Sequence, residues 1–247
     1  MSADREQPQG INAIAEAMSR IDAAGIPHDW TFKDSRVADG FQRHVREQLP
    51  FYDLATGCVA HVARHYIPEH GVVYDIGASV GNIGNTLAPT LESRQVKFVP
   101  IEASPEMCAR YAGPGKVVCA DAMTFEYEPY DCAIMFLVLM FMPPATRLTW
   151  FNSLLKKMRP GGCLILFDKF QKAMGSPYLA TAIRRMTLAG KVATGTPAEE
   201  IVAKELSLSG VQRPLDHAAI ELLSPPSTLV FQFGEFAGYV FTRPESS

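Results

Sequence analysis

Two rhythms of apolar and polar residues divide the chain. Before residue 70 the apolar positions recur every three or four residues; from Val72 onward, short apolar runs alternate with helical stretches. Ile11, Ile14, Ala15, Met18 and Ile21 share one face, which predicts a short amphipathic helix ahead of Gly25 and Pro27. Trp30-Thr31-Phe32 reads as an aromatic loop. Ser35 is placed to N-cap a helix carrying Val37, Phe41, Val45 and Leu49 on one face, and Pro50 stops it. A further helix is expected from about Tyr52 to His65. Residues 1–9 read as disordered, and 1–70 as an N-terminal helical cap.

The second rhythm is that of βα units. Strands are expected at Val72–Ile76, Val96–Ile101, Lys116–Ala120, Cys132–Phe136 and Cys163–Phe167. Helices follow the first two, the second opened by Ser104 as N-cap with Pro105 at its first position. Cys132–Phe136 lies in an almost continuous apolar run, as a strand buried on both faces should. A helix is expected from about Pro144 to Met158, then a turn at Arg159-Pro160-Gly161-Gly162. Residues 175–191 and 197–208 read as helices within an insertion covering about 171–225. Two closing β runs, Thr228–Phe233 and Gly238–Thr242, are joined by a link too short for a parallel crossover, so they pair antiparallel. The expected fold is α/β and Rossmann-like: a mostly parallel seven-stranded sheet with one antiparallel strand, covered on both faces, over residues 71–247.

The chemistry gathers where the first strand ends, at Asp75-Ile76-Gly77-Ala78-Ser79-Val80-Gly81. Gly77 allows a tight turn, and Gly81 removes a Cβ where a ligand or the sheet would come close. Ser79 stands where a dinucleotide fingerprint has its second glycine, and Asp75 would repel a pyrophosphate. A cationic ligand with a ribose suits the loop better, S-adenosylmethionine being the common example. Glu102 comes 21 residues after Gly81 and is placed to accept from both ribose hydroxyls. Asp121-Ala122-Met123 would bracket an adenine, Asp121 toward the exocyclic amine and a neighbouring backbone amide toward a ring nitrogen. Asp168 also ends a strand, but reads first as a loop carboxylate that caps or pairs with Lys169.

Composition narrows the rest. The 247 residues are 47% hydrophobic and 20% charged, with net charge -3, which gives no sign of a general nucleic-acid surface. Five cysteines form no C-x-x-C pair and read as reduced core residues of a cytoplasmic protein. No signal peptide is visible, and the longest apolar run, Ala133 to Met142, is too short to span a bilayer. His61 and His65 are one helical turn apart, with His70 nearby, but no acidic partner shares the helix. A solvated face is favoured over a metal site. The run Phe136 to Met142 reads as core, with one residue near the cofactor.

In combination, Asp-x-Gly-x-x-x-Gly, the two later acids, the Arg-Pro-Gly-Gly stretch and the closing hairpin resemble the class I S-adenosylmethionine-dependent methyltransferases over about residues 70 to 242. One branch is more similar, the carboxy-S-adenosylmethionine synthase family of tRNA wobble-uridine modification. Trp30-Thr31-Phe32 with Arg36-Val37-Ala38-x-x-Phe41, Leu49-Pro50-x-Tyr52, the Ser79 loop, Asp168-Lys169-Phe170 and Phe231-Gln232-x-x-x-Phe236 carry that likeness. It implies a tyrosine, Tyr52, reaching over the cofactor. It also implies a homodimer, with the 170–210 helices as a plausible surface, and a cofactor-binding set of Tyr52, Asp75, Gly77, Ala78, Ser79, Gly81, Glu102, Ala103, Ser104, Met107, Asp121, Ala122, Met123 and Phe136. Two positions depart from the family. Its carboxylate-holding Arg aligns with Glu205, a reversal of charge, and its Asn after strand four is Phe136. The expected activity is therefore ordinary methyl transfer to a small-molecule or nucleotide acceptor. The alternative is a carboxy-S-adenosylmethionine synthase that uses prephenate. No catalytic base is identified, Asp168 and Glu205 being candidates by position. The motifs of amino-group and C5 methylation on DNA bases are absent, although a nucleic-acid-modification pathway stays open.

Overall fold

The computed structural model describes residues 42, 45, 46, 49–171, 177–193, 195–209 and 211–245. The expected helix at 11–21, the aromatic loop at 30–32 and the Ser35 cap lie outside them. The described residues fall into two compact units, one of residues 181–212 and one containing the sheet.

Helix α1 (Tyr52–Tyr66) buries Tyr52, Ala55, Val59, Ala60 and Ala63, a stripe at helical spacing. It leads into β1 (Val72–Ile76), whose five residues are all buried. Then come α2 (Asn82–Ser93), β2 (Lys97–Glu102), α3 (Pro105–Ala109), β3 (Val118–Cys119), β4 (Tyr130–Phe136), α4 (Pro144–Leu155) and β5 (Met158–Lys169). After α5 (Pro177–Ala193), α6 (Ala198–Ser209) and α7 (His217–Glu221), the hairpin β6 (Ser227–Phe233) and β7 (Phe236–Thr242) closes the sheet. The strand order is β3-β2-β1-β4-β5-β7-β6. Every neighbouring pair from β3 to β5 is parallel, and β7 runs antiparallel to both β5 and β6. The sheet therefore has the one antiparallel strand that the short closing link demands.

Alternate residues of the central strands face two separate cores. Tyr74, Ile76, Ala133, Met135, Leu164 and Leu166 pack under α4 and α7. Val73, Ile134, Phe136, Ile165 and Phe167 pack under α1 and α2. Each fully buried aliphatic or aromatic side chain contributes about 1.5–3 kcal/mol, so these two layers hold the strand ends in place.

Four details differ from the sequence expectation. β3 is only two residues long, because its residues are not buried and pattern alone overstates it. Arg159-Pro160-Gly161-Gly162 is not a free turn but a bulged entry into β5. The step Tyr130 to Cys132 on β4 is matched by Met158 to Cys163 on β5. Gly161 (φ +77°) makes the bend, and its amide donates to Arg243 O at 2.8 Å. The hairpin link is Gly234-Glu235, two residues shorter than read, with Phe236 and Ala237 already in β7. Of the five free cysteines only Cys132 and Cys163 are core residues; Cys119 is exposed.

Candidate functional site

The loop from β1 to α2 is anchored before any ligand is considered. Gly77 N and Ala78 N both donate to Ile101 O at the end of β2, at 2.8 and 2.9 Å. Gly77 (φ +75°), Ser79 (φ +50°) and Gly81 (φ +100°) have left-handed backbone, which turns the chain sharply into the N-terminus of α2. A Cβ on Gly77 would collide with Val138 Cγ2, and one on Gly81 would lie 2.5 Å from Gly113 N. The close approach at Gly81 is therefore made by the 111–113 loop, whose Ala112 N donates to Val80 O at 3.1 Å, and not by the sheet.

Glu102 ties this loop to the next one. Its Oε2 accepts from Ser79 N and its Oε1 from Ser104 N, each at 2.8 Å. Burial pushes its pKa up, while the amides of Ser104, Ser79 and Ala103 pull it back toward the charged form. Ser104 then caps α3 by accepting from Met107 N at 3.2 Å, as the sequence predicts. Met107 is buried, with its sulfur 3.9 Å from Ser79 Oγ. Asp121 stands exposed just beyond β3, and Ala120 N donates to Glu102 O at 2.9 Å, which brings the two strand ends together. Asp121 Oδ1 accepts from Met123 N at 2.8 Å, so that amide serves the turn itself. Ala122 is buried beneath it.

Asp75 is 2% exposed, and its Oδ2 has no partner among the described residues. Burial is the main cause that raises its pKa to about 7, helped by the negative charge of Glu102 and opposed by a backbone hydrogen bond from Gly84 in the first turn of α2. A buried carboxylate oxygen without a donor is costly, and a cation or a hydrogen-bond donor arriving there would remove the cost. Beside it Tyr52 is buried, with Asn82 as a hydrogen-bond partner, and burial pushes its hydroxyl up to about 12. Asn82 Nδ2 also donates to Thr56 Oγ1 at 3.0 Å, joining α1 to the start of α2. The Phe136 ring meets Tyr52 edge-on, with centroids 5.4 Å apart.

The structure thus gathers Asp75, Tyr52 and Phe136 on one side of the loop, and Ser79, Glu102, Ser104 and Met107 on the other. Sequence reading missed Asn82 and Thr56, which have no spacing signature, and Val138 and Gly113, which arrive from distant loops. It also placed Asp168 in a loop; the cap on Lys169 is made, but from within β5. That carboxylate is fully buried, accepts from Lys169 N at 2.8 Å and from Met140 N at 3.2 Å, and has its pKa raised to about 7 chiefly by burial. Lys169 pairs instead with Glu235 at 3.1 Å. Asp168 therefore braces the loop after β4 rather than capping in solvent. Glu205, the other candidate base, forms an ion pair with Arg184 within its own unit. His61, His65 and His70 are all exposed, and the described residues contain no cluster of three metal-binding side chains. Among the described residues, no helix is long and apolar enough to cross a membrane.

Comparison with known proteins places this geometry. No protein-family model matches the chain. A carboxy-S-adenosyl-L-methionine synthase of Yersinia pestis (strain Pestoides F) is 26% identical over 181 residues, which cover 70% of this chain and 65% of the relative. A synthase of Yersinia pseudotuberculosis (serotype O:1b) gives the same figures. The chain thus matches just under two thirds of the length of these curated relatives. Among solved structures, the plantazolicin methyltransferase BpumL, in complex with a monoazolic desmethylPZN analog and SAH, superposes with a TM-score of 0.59 at 11% identity, covering 94% of this chain and 99% of that one. An S-adenosylmethionine-dependent methyltransferase of Clostridium acetobutylicum gives 0.53 at 11% identity, covering 83% and 98%. The fold is that of the class I S-adenosylmethionine-dependent methyltransferases.

Proposed function

We propose that the protein is an S-adenosylmethionine-dependent methyltransferase acting on a small-molecule or nucleotide acceptor. One observation carries the reading: the buried Asp75 presents, at the strand end next to Glu102, an Oδ2 with no partner among the described residues. The residues fit the cofactor. Asp75 would hold the ammonium group, Glu102 the ribose hydroxyls through lone pairs left by the two amides, and Asp121 the adenine amine. Tyr52 would close over the site. When bound, the sulfonium supplies an already activated methyl group. The protein's own task is then to orient the acceptor in line, exclude water and keep the loop rigid, which the Glu102 bridge supports.

A second reading is a carboxy-S-adenosylmethionine synthase-like enzyme using prephenate in a tRNA-modification pathway. The sequence likeness to the Yersinia synthases favours it. Against it, Phe136 is apolar and Glu205 is already paired with Arg184. Mass spectrometry of ligand extracted from the purified protein separates the two. S-adenosylmethionine or its demethylated product, with no conversion on adding prephenate, supports the first reading, and a carboxylated cofactor overturns it. Failure of every cofactor analogue to bind by calorimetry overturns both. Exposed Met186, Val192 and Leu206 on α5 and α6 support a homodimer built through these helices.

A further inference from the structure

The five cysteines have no role in the site described above, and four of them lie in pairs. Cys132 and Cys163 face each other across β4 and β5, with their sulfurs 3.6 Å apart, and both are sealed in the core. Cys108 and Cys119 form the other pair, one on α3 and one on β3. Cys108 is half-buried and Cys119 is exposed.

Two independent contacts bring this second pair together. Cys119 is the register partner of Glu102 on β2, and the amide of Ala120, the next residue, donates to Glu102 O at 2.9 Å. The Cys108 thiol donates to that same carbonyl at 3.4 Å. The two thiols are also hydrogen-bonded to each other. Burial first, and then this bond, push Cys108 up to about 12. Cys108 therefore stays protonated near neutral pH, and the exposed Cys119 is the sulfur that a dissolved oxidant meets. The carbonyl on which both residues converge belongs to the acid that bridges Ser79 and Ser104.

We infer that Cys108 and Cys119 are a modification site, closed into a reversible disulfide by a small-molecule disulfide, and that closure weakens the neighbouring cofactor site. The second half rests on the methyltransferase reading; the first does not. The Cys119 sulfur, its proton lost to water, attacks one sulfur of the small disulfide. That S–S bond breaks and one thiolate leaves. The Cys108 sulfur then attacks the Cys119 sulfur, its own proton going to solvent, and the second thiolate leaves. The protein's two thiols lose two electrons, and the small disulfide becomes two thiols. A disulfide holds its sulfurs about 2.0 Å apart, closer than a thiol hydrogen bond allows. Closure takes the Cys108 thiol off the Glu102 carbonyl and pulls on the turn from Ser104 through Met107, where Cys108 N donates to Ser104 O at 2.9 Å.

The test uses the full chain, equilibrated with graded ratios of oxidised to reduced glutathione, alkylated and digested with trypsin. Cleavage at Arg110 and Lys116 leaves Cys108 and Cys119 on separate peptides, which mass spectrometry finds joined only through a disulfide. The joined pair is expected under oxidation, lost with dithiothreitol and absent from Cys119→Ser, while Cys132 and Cys163 stay reduced. No cross-link at any ratio, or a cross-link to another cysteine, overturns the site, and the wild-type digest decides even if a variant fails to fold. Calorimetry with S-adenosylhomocysteine follows on both forms. The oxidised chain is expected to bind about tenfold more weakly, with affinity restored by dithiothreitol and Cys119→Ser unaffected by the oxidant. Equal affinity of the two forms overturns the link to the cofactor site. Failure of the reduced chain to bind overturns the cofactor reading and that link with it, while the digest still decides the disulfide.

Discussion

At Asp75, burial and the negative charge of Glu102 both hold the proton, and only the backbone amide of Gly84 opposes them. Its ordinary pKa is near 3.8, and in the folded protein it is raised to about 7. Between those values the folded chain keeps a proton that the unfolded chain has lost, so stability falls as pH rises toward and through 7. Asp75→Asn removes that penalty. By calorimetry the variant is expected to gain in melting temperature relative to wild type between about pH 5 and pH 8, the pH-dependent part amounting to a few kcal/mol. Asp168 shows the same upward shift, so the variant should lose only part of the pH dependence. Cofactor binding should show the opposite trend, strengthening in wild type as the pH rises through 7 and staying weak and flat in the variant. At Glu102 the expected loss on Glu102→Ala is about 1–3 kcal/mol of cofactor affinity, with Glu102→Gln in between because it retains one acceptor. Unchanged affinity in the alanine variant would remove Glu102 from the site. Both acids were legible in the sequence because each stands at the carboxyl end of a strand that the apolar pattern locates. The burial of Asp168 was not, because, apart from Lys169 N, the amides it accepts from (Val138, Leu139 and Met140) belong to a loop some thirty residues earlier.

At the scale of elements, the loop after β1 and the loop after β4 are packed against each other at Gly77 and Val138. Gly77→Ala combines a left-handed backbone with a clash against a side chain, and is expected to destabilise by about 2–4 kcal/mol in urea denaturation. Adding Val138→Ala should return the steric part and leave the backbone part, giving a double-mutant coupling of about 1 kcal/mol or more. Additive effects would mean that the two loops do not bear on one another. Asp168 braces the same loop from the other side through Met140 N. The strands themselves were readable where burial is two-sided, as in β1, β4 and β5. They were misread where pairing is remote. Gly161 reads as a turn residue from its neighbours alone, and only its bond to Arg243, far along the chain, makes it part of β5.

For the molecule as a whole, the sequence supplied the alternation of strands and helices and the antiparallel ending. The order in which the strands lie side by side is a property of packing between distant segments. The proposed homodimer has its test at this scale. Met186, 75% exposed on α5, is expected to tolerate Met186→Asp without loss of folding, while sedimentation velocity shows a shift from dimer to monomer. A wild-type protein that sediments as a monomer at all concentrations rejects the dimer.

The amides of Ser79 and Ser104 are satisfied by Glu102, a side chain of the protein's own. Their exchange with deuterated solvent should thus be slow before any cofactor is added, set by how often the loop opens rather than by occupancy. Cofactor binding then needs no repositioning of Ser79, Glu102 and Ser104, and this part of the site should add no slower rearrangement step in stopped-flow traces.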